Sequence, residues 1–148
     1  MSKPKYAIAS DHAGFDLKEY IKTHFNEVEW LDVGTDSAER VDYPDFASKA
    51  AKMVSDGKTP AAVLVCGSGV GMAITANKFK GVRSTVAESE VVAALCKQHN
   101  NVNVLCLGAR LTPRELAVKI VKTWMHTSFE GGRHQDRLEK ISILEKSR

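Results

Sequence analysis

The chain has 148 residues, 43% hydrophobic and 26% charged, with a formal net charge of +3. That length and balance suit one globular domain around a single core, spanning residues 1–148. No long Lys/Arg block reads as a nucleic-acid arm, so a small anionic ligand is the better expectation. The opening stretch MSKPKYAIASDH carries an apolar run too short for a secretory leader or a membrane span. Three cysteines without paired spacing (Cys66, Cys96, Cys106) fit a reducing cytoplasm and give neither a disulfide scaffold nor a zinc set.

Strand and helix signals alternate along the chain. KYAIAS (5–10) reads as a strand, and residues 15–27 place Phe15, Leu17, Ile21 and Phe25 at helical spacing. VEWLDVG (28–34) is a second strand, followed by a polar loop. Pro44 then starts a helix that Gly57 ends. AAVLVC (61–66) is the third strand, GMAITANKF a short helix and VRSTVA (82–87) the fourth strand. ESEVVAALCKQHN opens with acids, as the helix dipole favours. VNVLCLG (102–108) is the fifth strand. The next helix has Thr112 as N-cap and Pro113 at its first position, and residues 133–147 form a terminal helix. Strands too apolar to have a wet face, each followed by a helix, mean a five-stranded parallel sheet covered on both sides. With right-handed crossovers this is a Rossmann-like three-layer α/β/α sandwich, which binds ligands beyond the C-terminal ends of its strands.

Polar residues gather around the strand ends: Asp11 and His12 after the first, Tyr43 in the loop beyond the second, Cys66 after the third. His99 and Asn100 precede the fifth strand, and Arg110 follows it. The loop CGSGVG places Gly67, Gly69 and Gly71 around Ser68. It lacks the third glycine of a dinucleotide fingerprint and the Gly-Lys pair of a Walker loop, and Met72 stands where a Cys-based phosphatase loop needs arginine. Two readings remain, a tight strand-to-helix turn or a set of amides aimed at a developing negative charge. Cys66 is either core filler or, facing a helix N-terminus, a residue set up to act as thiolate. Cys96 and Cys106 lie in apolar stretches and read as core. Arg133 and Arg137, four apart on one helix face, either meet an anion or form a solvated face neutralised by Asp136 or Glu130.

Taken together, SDHAGFDLK, DYPDFA, CGSGVGMAITANK, HNNVNVLCLGAR and EGGRHQDRL resemble, in order and along essentially the whole chain, the type B ribose-5-phosphate isomerase family. That family also contains galactose-6-phosphate and allose-6-phosphate isomerases. The resemblance implies aldose–ketose isomerisation through a cis-enediolate with no metal and no cofactor. Cys66 would be the base moving a proton between C1 and C2. Gly67, Ser68, Gly69 and Gly71 would hold the enediolate, and Asp11 would move protons between the two oxygens. His99 would open the furanose ring with Asn100 bonding the sugar, and Tyr43 would line the sugar site. His12, Arg110, Arg133 and Arg137 would bind the phosphate. The family's site is shared between two subunits, which implies a homodimer or tetramer, with the terminal helix contributing to the interface. Many relatives have Thr where this chain has Ser68, and a subgroup without the cysteine uses a glutamate at the position of Met72. Ribose 5-phosphate is the expected substrate, with the two hexose phosphates or binding without turnover as the alternatives.

Overall fold

The computed structural model describes residues 2–147. The elements run β1 (Lys5–Ser10), α1 (Phe15–His24), β2 (Glu29–Asp32), α2 (Tyr43–Ser55), β3 (Ala61–Cys66), α3 (Val70–Ala76), β4 (Ser84–Val86), α4 (Glu90–Asn100), β5 (Val104–Gly108), α5 (Arg114–His126) and α6 (Arg133–Lys146). All five strands are parallel, in the order β2-β1-β3-β5-β4. The expected three-layer sandwich is therefore what the chain forms.

The two faces of the sheet have different chemistry. Ile8, Val63, Val65, Leu105 and Leu107 point to the side covered by α1, α4 and α5, where Trp124 is fully buried and donates its indole N–H to the Val102 carbonyl at 2.9 Å. Ala7, Ala9, Ala62, Leu64, Cys66 and Cys106 point to the other side, where Ala47, Ala50 and Ala51 bring α2 down close to the sheet. α1 and α2 thus lie on opposite faces, and the chain leaves β1 and β3 in opposite directions. That opens a crevice between the two neighbouring strand ends, the position where such sheets bind ligands.

Some element ends differ from the sequence expectation. α5 begins at Arg114 with Pro113 as its N-cap, not Thr112. The amides of Leu111 and Thr112 are both donated to the Gly108 carbonyl, which winds that segment into a turn at the end of β5. The cap of α4 is Ser89, whose hydroxyl accepts the Val92 amide at 3.1 Å. β2 and β4 are shorter than their apolar runs, as the sheet's edge strands.

One polar cluster supports the base of the crevice. Lys18 is buried in α1, and its ammonium group and that of Lys22 (2.7 Å) both meet the Asp32 carboxylate. The other Asp32 oxygen accepts the Gly34 amide at 2.9 Å, and the Gly34 carbonyl accepts the amide of Ser10, next to Asp11. Partial burial alone would raise the Asp32 pKa, but hydrogen bonds from Lys18, Lys22 and Gly34 outweigh it and hold the carboxyl below its usual range. A depressed pKa contributes stability that is present above about pH 4 and lost as the pH falls through the folded value. Asp32→Asn is therefore expected to cost about 2–3 kcal/mol at pH 7, because it leaves Lys18 buried without its countercharge. Urea unfolding should show this gap starting to close below about pH 4, where the unfolded carboxyl takes up its proton, and closing fully only as the pH falls through the lower native value; a gap independent of pH would overturn the assignment.

Candidate active site

Asp11, His12, Tyr43, Cys66 with its glycine loop, and Arg110 converge on the crevice. The Asp11 amide is donated to the Val65 carbonyl at 3.2 Å, which ties the end of β1 to β3. Asp11 is buried, and its carboxylate accepts the Gly14 amide at 3.1 Å. The Nδ1 of His12 meets the backbone of Val41 at 3.1 and 3.2 Å, drawing the polar loop and the start of α2 over the same opening. On the far side the Arg110 amide is donated to the Gly67 carbonyl at 3.0 Å, and the Ala109 amide to the Cys66 carbonyl at 2.8 Å.

The loop itself is built around the thiol. Gly69 has φ of 82°, a left-handed conformation that a side chain would strain. That turn brings its amide to 3.1 Å from Cys66 Sγ, so the sulfur accepts a backbone hydrogen bond. Ser68 Oγ accepts the Val70 amide at 3.2 Å. Among the described residues, no acceptor meets the amides of Ser68 and Gly71. Gly71 faces the Tyr43 ring so closely that a Cβ there would overlap it. The close approach and the open amides favour the anion-hole reading over a turn alone. Met72 is fully buried beneath the loop and carries no titratable group.

The other two cysteines are core, as expected. Burial pushes the Cys96 thiol up to about 11 and the Cys106 thiol up to about 12.

Within one chain, the remaining candidates do not join this cluster. Cys66 pairs with Gly108 at the end of β5, whereas His99 and Asn100 close α4 just before β5 begins at Val104. The four steps from Val104 to Gly108 separate the two ends of the strand by about 13 Å. Arg133 and Arg137 lie near His99, because the Glu130 amide is donated to the Gln98 carbonyl at 3.0 Å and places the start of α6 against the end of α4. Both arginines are exposed, and neither pairs with a carboxylate among the described residues. Glu130 instead faces two imidazoles: its Oε1 lies 3.9 Å from His99 Nε2 and 3.6 Å from His134 Nε2.

His134 was not expected from the sequence. Its ring stacks on that of His99 with centroids 4.3 Å apart and planes 11° from parallel. The Glu130–His134 spacing of four is visible locally, but nothing local announces a partner on α4. The three side chains bring ligand atoms within 4.8 Å of one another, yet near-parallel rings would have to splay to aim both lone pairs at one ion.

A parallel sheet whose crevice presents a hydrogen-bonded thiol, open amides, a carboxylate and an arginine has the parts of an enzyme that moves protons on a small anionic substrate. The comparisons with known proteins agree. Residues 6–141 match the family model described as Ribose/Galactose Isomerase. Ribose-5-phosphate isomerase B of Escherichia coli (strain K12) is 47% identical over 146 residues, 97% of this chain and 98% of that protein. The structure of Clostridium thermocellum ribose-5-phosphate isomerase B superposes with a TM-score of 0.95 at 41% identity, covering 97% of this chain and 98% of that one. Ribose-5-phosphate isomerase B from Mycoplasma genitalium, solved with bound ribulose-5-phosphate, matches over 100% of both chains with a TM-score of 0.95 at 40% identity. This chain belongs to the ribose/galactose isomerase family.

Proposed function

We propose that this protein interconverts D-ribose 5-phosphate and D-ribulose 5-phosphate, the isomerisation of the non-oxidative pentose phosphate pathway. The observation that carries the reading is Cys66 Sγ held against the Gly69 amide in the β1/β3 crevice, beside the open amides of Ser68 and Gly71. Abstracting a proton next to a carbonyl needs a positioned base and fixed donors for the oxygen that becomes negative. Cys66 removes the proton from C2 of the open-chain aldose and returns it to C1. The loop amides and the Ser68 hydroxyl stabilise the cis-enediolate, and Asp11 shuttles the hydroxyl proton between O1 and O2. Tyr43 lines the sugar site. His12, Arg110, Arg133 and Arg137 hold the phosphate, whose binding energy fixes the sugar for reaction.

The separation of His99, Asn100, Arg133 and Arg137 from Cys66 supports a homodimer in which each site takes these residues from the second copy. The α4–α6 side of the molecule exposes apolar side chains, among them Val91, Val92 and Leu95 on α4 and Ile141 and Leu144 on α6. An apolar groove of about 570 Å³ runs between these helices, lined by Val92, Leu95, Leu138, Ile141 and Leu144. A second copy covering this face would bury that surface. No helix among the described residues is long and apolar enough to cross a membrane, and the three free, buried cysteines support a cytoplasmic location.

Measuring kcat/KM for ribose 5-phosphate and for allose 6-phosphate tests the substrate. Ribose 5-phosphate is expected to be preferred by about tenfold or more. A preference for the hexose would reassign the protein within the family, and no turnover of either would favour a binding module.

A further inference from the structure

We infer that His134 is a positioning residue for His99, holding its imidazole through the face-to-face stack at the junction of α4 and α6. The inference rests on the reading that His99 opens the sugar ring. In that step the C1–O4 bond breaks, O4 takes up a proton, and O1 gives one up as C1=O1 forms. An imidazole serving this exchange has to present one edge to the substrate in a fixed orientation.

His99 cannot fix itself. It sits in the last turn of α4, 41% of its side chain is exposed, and no hydrogen bond shorter than the 3.9 Å approach of Glu130 holds its ring among the described residues. His134 is only 6% exposed, in the first turn of α6, so its ring is a fixed surface. The stack covers one face of His99 and leaves the edges available. Stacked aromatic pairs of this geometry bias ring orientation severalfold. The backbone supports the arrangement: the Glu130 amide is anchored on Gln98, and the His134 amide on the Gly131 carbonyl at 3.1 Å. Burial, then the neighbouring His99 and Arg133, lower the His134 pKa against the opposing pull of Glu130, which favours a neutral ring under His99. A neutral partner lets His99 pass between its two protonation states without facing a second imidazolium.

The geometry separates this role from simple packing. If His134 acts through His99, its effect on rate must vanish when His99 is absent. A double-mutant cycle on kcat for ribose 5-phosphate tests this. His99→Ala keeps a residual rate, because the small open-chain fraction of substrate in solution still reaches Cys66. His134→Ala is expected to lower kcat by about tenfold in the native background but by less than about twofold in the His99→Ala background. His134→Phe, which restores a flat ring, is expected to recover most of the loss. Equal losses in both backgrounds, or no loss in the native one, would overturn the inference. Should His134→Ala fail to fold, His134→Phe against His134→Gln makes the same comparison of ring against no ring. If His99→Ala itself leaves kcat unchanged, the ring-opening reading falls and this inference with it. A slow His99→Ala beside an unaffected His134→Ala overturns this inference alone.

Discussion

Cys66→Ala should lower ribose 5-phosphate turnover by about a thousandfold while leaving the fold intact. A positioned general base contributes about 10²–10⁴-fold. Met72, at the position where some relatives place a glutamate, is fully buried and has no proton to exchange. Cys96 and Cys106 are removed from consideration by their own surroundings, which push their thiols up to about 11 and about 12. Cys66 is itself only 4% exposed, but the change removes one sulfur, and among the described residues its one side-chain hydrogen bond comes from the Gly69 amide. The stability cost is expected to be about 1 kcal/mol, well within what a domain of this size tolerates. A coupled assay and a thermal melt on the same preparation check both halves. A variant retaining more than about a tenth of native activity would rule out Cys66 as the base.

Two strongly impaired variants should restore each other. Cys66→Ala and His99→Ala chains, co-folded in equal amounts, are expected to regain about a quarter of native activity, since half of a random mixture is heterodimer and each heterodimer holds one intact site. The expectation follows from the topology. Cys66 closes β3 at one end of the sheet and His99 closes α4 at the other, so a site needing both draws them from two chains. A site completed within one chain would give no recovery in the mixture. Differently tagged chains, co-expressed and purified through both tags, isolate the heterodimer and should then show about half of native activity.

How much of this was readable before the structure depends on whether a signal was local. The all-apolar third and fifth strands required a sheet covered on both faces, and both strands are buried along their whole length. The glycine loop was equally plain, although its two readings could not be separated from spacing alone. The amide of Gly69 on Cys66 Sγ and the approach of Gly71 to Tyr43 separate them, and both depend on residues brought together by folding. The cap of α5 was misplaced at Thr112 because a Thr-Pro pair reads as a helix start; the turn on the Gly108 carbonyl takes that residue's amide first. Nothing in the residues around Lys18 marks it as buried, and only the arrival of Asp32 from the next strand makes it a buried ion pair.

By itself, then, the sequence determined the layered parallel architecture and the thiol at the end of the third strand, because alternation of strand and helix and a glycine-rich turn are written in neighbouring residues. It also supplied His99 among the polar residues around the strand ends, and Arg133 and Arg137 as a pair on one face of the terminal helix. Only the tertiary structure decided that these residues fall at opposite ends of the sheet, that Glu130 faces imidazoles and not arginines, and that His134 lies beneath His99. Such contacts join segments far apart in the chain, and they exist only once β5 and the packing of α6 on α4 have fixed where each side chain stands.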